Sequence, residues 1–193
     1  MKINNRELEF PCNEVFPNRW SPRALSGEEI SDEELMTLFE AGRWAPSSYN
    51  NQPWRFIYAK RDTGHWDSIF NLLADANKAW CKNAAVLVVV VSNKNFEYNG
   101  KPSRTHSLSA GAAWENIALQ ATFMGLVAHG MAGFDYGKAK EVLGVPDDFN
   151  VEMMFAIGKK GRKEDLSEEA QKMEVQSLRK PLKEIVFEGK FDG

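Results

Sequence analysis

The chain has 193 residues, 43% of them hydrophobic, and its 24 basic and 27 acidic residues give a formal charge of -3. This length predicts one domain over residues 1–193, and the near balance of charge argues against nucleic acid as a partner. The longest apolar run, residues 84–91, is far shorter than the roughly 20 residues of a membrane-spanning helix, so no membrane partner is expected. Residues 1–7 lack a secretory signal, and Cys12 and Cys81 lack metal-site spacing, so a cytoplasmic protein with reduced thiols is expected.

The first half of the chain predicts a helix, a strand and a second helix. Ser31 and Glu34 have the spacing of a capping box, and the helix that they begin should end before Pro46. The segment from Trp54 to Lys60 is typical of a strand. Apolar residues at helical spacing over residues 66–73 predict an amphipathic helix.

The second half predicts alternating strands and helices. Its central feature is the continuous apolar run Ala84 to Val91, which suits a strand buried on both faces. The other predicted elements are a long core helix at about 105–124, a short strand or extended segment at 127–131, a helix at 136–143 capped by Gly144, and a strand at 153–157. This interleaving indicates an α+β or α/β protein with one sheet.

The C-terminal tail is unusual because it is apolar but has no obvious place in the core. It begins at about residue 171 and contains Ile185, Val186 and Phe187. A tail that reaches across to a second subunit would explain this composition.

The connection between the first helix and the first strand is rich in groups that bind polar ligands. Residues 43–54 combine serines, amides and two prolines. The prolines remove backbone donors and restrict φ, so the loop should be stiff. Such a loop can offer hydrogen bonds to a flat polar ligand without moving much.

Arginine residues near both ends of the chain are candidates for binding phosphate. Arg19 and Arg23 flank Ser21, and a guanidinium fork suits phosphate oxygens, although on spacing alone a pair of solvated surface arginines is the more ordinary interpretation. Arg179 lies in a charged segment near the C-terminus.

Residues suited to direct acid–base or nucleophilic catalysis do not form a motif. The sequence has no nucleophile elbow, no dinucleotide fingerprint and no P-loop, and Glu115 is a single carboxylate in the long helix. Chemistry carried by a bound cofactor is consistent with this pattern.

Four blocks, taken together, resemble the FMN-dependent nitroreductase family. Residues 19–23 resemble its N-terminal phosphate motif, and residues 45–54 closely resemble its signature loop. Residues 130–135 resemble the segment beside the flavin ring, and residues 179–182 resemble the C-terminal arginine motif. The four blocks follow the family's order and span nearly the whole chain.

The resemblance implies an α+β fold in which helices flank a central mixed, mostly antiparallel sheet, and an intertwined homodimer with two FMN sites at its interface. Arg19, Ser21, Arg23 and Arg179 would hold the phosphate, whereas the signature loop would approach the flavin from the other subunit. Ala132 and Gly133 would lie near the ring edge and offer a backbone N–H to flavin N5, and Asn77 would meet the pyrimidine edge. The full set of implied cofactor residues is Arg19, Trp20, Ser21, Arg23, Pro46, Ser47, Ser48, Asn50, Gln52, Asn77, Met131, Ala132, Gly133 and Arg179.

The implied activity is an oxidoreductase that passes hydride from NADH or NADPH through flavin N5 to a small electron-poor acceptor, a nitroaromatic or a quinone, by a ping-pong mechanism. Alternatives are another flavin reaction on the same fold, namely dehalogenation, flavin fragmentation or enal/enone reduction, or a flavin-binding protein with little turnover. The chain departs from some relatives at Ala132, where those carry an acidic residue, and at Ser177, where those carry a basic one. Trp44, Phe123 and Phe134 are candidates for the acceptor pocket, with core packing the expected role of each.

Overall fold

The main sheet of the protein has four strands, all paired antiparallel. A computed structural model describes residues 2–191, so Met1, Asp192 and Gly193 of the expected domain lie outside the described residues. The order across the sheet is β3-β4-β6-β5. Its strands are β3 (Trp54–Lys60), β4 (Val86–Asn93), β5 (Leu126–Met131) and β6 (Phe149–Lys159). The predicted α+β class with a mostly antiparallel sheet is confirmed, and no parallel pair joins these four strands.

Strand β4 is the centre of the core. All eight of its residues are buried, as its unbroken apolar sequence predicted. Its odd-numbered residues from Leu87 to Val91 pack into one hydrophobic cluster and its even-numbered residues from Val86 to Val90 into another. Because side chains alternate along a strand, β4 supplies both faces of the sheet with core residues.

Helices cover both faces of the sheet. The first layer consists of α2 (Asp32–Arg43) and α5 (His106–Phe123). The second consists of α3 (Trp66–Phe70), α4 (Asp75–Cys81) and α6 (Tyr136–Val142). Helices α2 and α5 approach closely, since a Cβ on Gly42 would lie 2.9 Å from Cγ1 and Cδ1 of Ile117.

The elements with strong local signals form where the sequence predicted them. Ser31 and Glu34 make both hydrogen bonds of the capping box, and α2 ends before Pro46. Gly144 follows α6 with φ of 61°, a conformation that favours glycine. The segment at 127–131, which could have been merely extended, is strand β5.

Several short elements were not predicted from the sequence. Near the N-terminus β1 (Lys2–Ile3) pairs with β2 (Arg6–Glu7), followed by α1 (Val15–Asn18). Near the C-terminus α7 (Glu168–Met173) begins at the side-chain cap Ser167. Short 3₁₀ turns occupy Ser48–Asn50, Lys163–Asp165 and Leu182–Glu184.

The tail beyond α7 leaves apolar side chains on the surface of the chain. Leu178, Ile185 and Val186 are each more than half exposed. Cys12 and Cys81 are both free, the first exposed and the second buried. No helix within residues 2–191 combines the length and apolar character needed to cross a membrane.

Candidate cofactor site

The two N-terminal arginines lie on an extended connection between α1 and α2. We call residues 17–24 the arginine segment. Arg19 and Arg23 are half-buried, and Arg19 Nη1 lies 3.4 Å from the hydroxyl oxygen of Ser21. The end of the segment joins the sheet, because Gly161 N–H donates to the Ala24 carbonyl at 2.8 Å. The side chains therefore project from a backbone that is fixed at one end.

Three buried ionisable side chains hold this segment. Arg6 Nη1 donates to the carbonyl oxygens of Pro17 and Arg19 at 2.7 and 2.8 Å. The Glu174 carboxylate accepts the backbone N–H of Arg23 at 3.1 and 2.8 Å through its two oxygens. His129 Nδ1 lies 2.9 Å from the Pro22 carbonyl, which can only accept, so the ring carries its proton on Nδ1.

The C-terminal arginine lies at the same place as the N-terminal pair. Arg6 Nε donates to the Ser177 carbonyl at 3.0 Å, and Arg179 Nη1 lies 3.2 Å from the Ser177 hydroxyl oxygen. Burial lowers the pKa of Arg6, and the charges of Arg179 and Arg19 lower it further. The structure thus brings Arg19, Ser21, Arg23 and Arg179, the four predicted phosphate residues, into one neighbourhood.

This neighbourhood has an excess of positive charge. None of the guanidinium groups of Arg6, Arg19, Arg23 and Arg179 lies within 4.0 Å of a carboxylate among the described residues. The nearby carboxylate of Glu174 is engaged by backbone N–H groups. A cluster of arginine forks without acidic partners suits a phosphate group.

A turn that follows β5 forms the second part of the site. Asn77, on α4, donates from Nδ2 to the Gly133 carbonyl at 2.9 Å. A Cβ on Gly133 would lie 2.8 Å from that Nδ2, so any larger residue there would force the Asn77 amide to move. Ala132 and Gly133 are exposed and line a cavity of about 490 Å³. The Gly133 N–H makes no hydrogen bond to any residue in the described part of the chain.

The turn and the arginine segment lie along the same edge strand. The His129 ring, which contacts Pro22, packs against the Trp80 ring at 4.6 Å, and Trp80 is on the same helix as Asn77. Met131, the last residue of β5, is buried next to the turn, and its Sδ lies 3.4 Å from Cys81 Sγ. The predicted phosphate and ring-edge residues are therefore neighbours.

The signature loop lies elsewhere. Pro46, Ser47, Ser48, Asn50 and Gln52 precede β3, whereas the arginine segment and Gly133 adjoin β5, at the opposite edge of the sheet. Residues 47–52 make hydrogen bonds with one another and with Arg55. Their other hydrogen bonds within the described chain join Asn51 to Asn95 and Glu97. One chain does not unite the two halves of the predicted site.

The loop holds an unusual backbone conformation. Tyr49, Asn50 and Gln52 have φ of 51°, 53° and 45°, a region that residues other than glycine seldom adopt. Ser47 fixes the turn by accepting the Gln52 N–H at 3.0 Å. Tyr49, Asn50 and Gln52 also line a cavity of about 340 Å³. The proline content predicted a stiff loop, but it did not predict this strain.

The remaining aromatic candidates have different environments. Trp20 is half-buried and lies beneath Lys160 Nζ at 5.6 Å from the ring centroid. The expected core packing is confirmed for Phe134 and is wrong for Trp44 and Phe123, which are exposed. Trp44 ends α2 with its indole N–H on Glu40 at 2.8 Å, and Phe123 lies at the last turn of α5.

The site residues that the sequence did not reveal are Arg6, His129 and Glu174. Each contacts the arginine segment from a distant part of the chain, with separations of 11, 107 and 151 residues. No local motif marks a residue whose partner is so remote. No group of three His, Cys, Asp or Glu side chains in residues 2–191 is placed to hold a metal.

The fold and the site define an α+β protein with a cluster of arginines beside an edge strand of its sheet. The model of the nitroreductase family matches residues 17–72 and 65–159. The chain therefore belongs to the nitroreductase family, as its four blocks predicted.

Individual relatives agree with this membership. The crystal structure of an oxidoreductase containing FMN has a TM-score of 0.96 and 43% identity, covering 100% of this chain and 99% of that one. Protein DrgA of Synechocystis is 31% identical over 157 residues, covering 68% of this chain and 75% of the relative. An oxygen-insensitive NADPH nitroreductase of Helicobacter acinonychis is 29% identical over 167 residues, covering 68% and 78%.

Proposed function

We propose that this chain is an FMN-dependent oxidoreductase that uses NADH or NADPH to reduce a small electron-poor acceptor, a nitroaromatic or a quinone. The observation that carries the proposal is the cluster of four arginines without carboxylate partners in a member of the nitroreductase family. The relatives support it, because one contains FMN and another is named as an NADPH nitroreductase.

The phosphate end of FMN would bind the arginine segment and Arg179. Arg19, Arg23 and Arg179 supply charged donors and Ser21 supplies a neutral one, which suits the several oxygens of a phosphate. The backbone N–H groups of Arg23 and Ala24 are already bound by Glu174, at 2.8 to 3.1 Å, so side chains must provide the contacts. The donor set present fits a phosphate monoester.

The ring of FMN would lie beside the turn at Ala132 and Gly133. Gly133 is an exposed residue whose N–H makes no hydrogen bond within the described chain, so this N–H could donate to an edge atom of the ring, and N5 is the atom that the family resemblance implies. Asn77 fixes the turn through the Gly133 carbonyl, and the family resemblance implies that it would also meet the pyrimidine edge. Fixed donors of this kind stabilise the negative charge of a reduced ring without reorganisation.

A second copy of the chain would supply the signature loop, so the proposed protein is a homodimer. Ser47, Ser48 and Asn50 lie at the opposite edge of the sheet from the arginines and cannot serve the same FMN within one chain. The exposed apolar tail around Ile185 and Val186 is the surface that a partner would cover.

When bound, FMN would supply the redox chemistry, taking hydride from NAD(P)H and passing electrons to the acceptor in a ping-pong cycle. The chain's own residues would hold the cofactor by its phosphate, orient the ring against the turn after β5 and leave one face open to both substrates. The absence of a Cβ at Gly133 lets Asn77 Nδ2 reach the Gly133 carbonyl, which would fix the turn beside the ring.

The test compares the affinities of the apoprotein for FMN and for riboflavin, which lacks the phosphate. Changing Arg23→Ala together with Arg179→Ala should weaken FMN binding about 100-fold, because two charged hydrogen-bond donors are lost, and leave riboflavin binding nearly unchanged. Lys82→Ala with Lys163→Ala, two exposed lysines elsewhere, is the control for the lost charge. Equal FMN affinity in the arginine variant and the wild type would refute the phosphate assignment.

A further inference from the structure

The arginine segment is held by three buried polar side chains, two of which, Arg6 and Glu174, are charged. Arg6, His129 and Glu174 are only 6%, 9% and 7% exposed, whereas Arg19 and Arg23 are half-buried. Burying a charge away from water is costly unless it is fully hydrogen-bonded. The segment that these groups support must therefore be placed more exactly than packing alone would require.

Glu174 fixes the backbone at the second arginine. Its two carboxylate oxygens accept the Arg23 N–H, and Oε1 also accepts the Ala24 N–H at 3.0 Å. Glu174 directly follows α7, so it ties the C-terminal segment to the N-terminal arginines. Three hydrogen bonds to one carboxylate define both the position and the direction of the backbone there.

Arg6 fixes the spacing between the two arginine motifs. Its Nη1 binds the backbone carbonyls of Pro17 and Arg19, and its Nε binds the Ser177 carbonyl, two residues before Arg179. One rigid guanidinium plane thus connects the backbones that carry Arg19 and Arg179. A lysine, with a single nitrogen, could not reproduce these directions.

We propose that Glu174 and Arg6 are positioning residues, which set the geometry of the arginines for a phosphate monoester without touching it. This inference rests on the proposed function, since it concerns the same anion site. The alternative role of Glu174 is purely electrostatic, and that role has the opposite sign. A carboxylate beside an anion site repels the anion, so its removal would strengthen phosphate binding if charge alone mattered.

The experiment measures the ratio of riboflavin and FMN dissociation constants for the full chain, because this ratio reports the phosphate site alone. Glu174→Gln replaces one accepting oxygen with an NH2 group that faces the Arg23 N–H, and Glu174→Asp keeps the charge on a shorter side chain. Both variants should reduce the preference for FMN about tenfold, since each loses hydrogen bonds to a charged group. Arg6→Lys should do the same.

Controls separate this effect from a general loss of structure. Glu169→Gln, an exposed residue on α7, should leave the ratio at the wild-type value. Riboflavin affinity reports an intact ring site, so a variant that merely unfolds loses both ligands and changes the ratio little.

Two outcomes would overturn the inference while leaving the proposed function standing. In the first, Glu174→Gln, Glu174→Asp and Arg6→Lys all keep the wild-type ratio of riboflavin and FMN dissociation constants, while Arg23→Ala with Arg179→Ala removes the preference for FMN. In the second, Glu174→Gln shows a stronger preference for FMN, which would assign Glu174 a charge effect. A wild-type protein that binds FMN and riboflavin equally would instead contradict the proposed function itself.

Discussion

At the scale of single residues, the arginine segment depends on side chains that are remote in sequence and close in space. His129 is one of them, and its environment makes it sensitive to pH. Its pKa lies below the ordinary value of 6.5, mainly because the ring is buried. The hydrogen bond to the Pro22 carbonyl and the charge of Glu174 raise this pKa, whereas the charges of Arg23 and Arg19 lower it. The ring is therefore neutral in the folded protein at neutral pH.

The lowered pKa of His129 predicts a loss of stability in mild acid. Because the unfolded chain binds this proton more readily, stability is complete above pH 6.5 and falls as the pH drops from there through the folded-state pKa. Urea unfolding at a series of pH values should show this slope in the wild type. His129→Asn keeps an N–H for the Pro22 carbonyl but cannot titrate, so its slope should be shallower. An unchanged slope would contradict the assignment.

The contact between Asn77 and Gly133 predicts a coupled pair. Gly133→Ala would put a Cβ 2.8 Å from Asn77 Nδ2, so the amide must leave the Gly133 carbonyl, with a loss of about 1 kcal/mol of unfolding free energy. In an Asn77→Ala background the same change should cost much less. Gly137→Ala, where a Cβ would come no closer than 3.6 Å to Asp135 Oδ1, is the matched control. Additive costs would show that the pair is not coupled.

At the scale of elements, the packing of α2 against α5 positions the start of the signature loop. Gly42 lies near the end of α2, against Ile117 of α5, and Asn116 Nδ2 donates to the Ala41 carbonyl at 3.0 Å. The loop begins within four residues of this contact, so a shift of α2 would move it.

This helix contact predicts a size limit at residue 42. Gly42→Ala should destabilise the protein by about 1–3 kcal/mol in urea unfolding, because its Cβ would clash with Ile117. Much of that cost should disappear in an Ile117→Ala background. Gly111→Ala on α5, where a Cβ meets nothing within 4 Å in this chain, should instead be neutral or stabilising. A similar loss for both alanine variants would contradict the specific clash with Ile117.

The elements that the sequence predicted well are those with local causes. The capping box at Ser31, the apolar run of β4 and the glycine after α6 each act within a few residues. Helices α4 and α7 have only seven and six residues, too few for a clear helical pattern, and α4 is held by the burial of Trp80 and Cys81 in the core. Contacts between remote residues leave no local pattern either, which explains why the arginines were recognised but Arg6 and Glu174, their remote supports, were not.

At the scale of the whole molecule, the two halves of the predicted site lie at opposite edges of one sheet. The tail exposes apolar side chains to water, which a second copy of the chain would bury. The same second copy would supply the signature loop that one chain cannot bring to the arginines. The proposed homodimer follows from these two needs together.

The homodimer predicts a linked loss of assembly and cofactor. Ile185→Asp with Val186→Asp should convert the protein to a monomer by light scattering and weaken FMN binding at least tenfold, because the partner's loop is lost. Ser68→Asp with Lys82→Asp, at exposed positions outside the tail, should leave both properties unchanged. A tail variant that remains a dimer with full FMN affinity would refute the role given to the tail.

The most direct test of the proposed activity is stopped-flow absorbance of the purified FMN-loaded protein. We expect NADH or NADPH to bleach the flavin band in the absence of acceptor, and a quinone or nitroaromatic added afterwards to restore it. Both half-reactions should be fast enough to account for steady-state turnover. A flavin that stays oxidised with either nicotinamide would contradict the assignment as an NAD(P)H-dependent oxidoreductase.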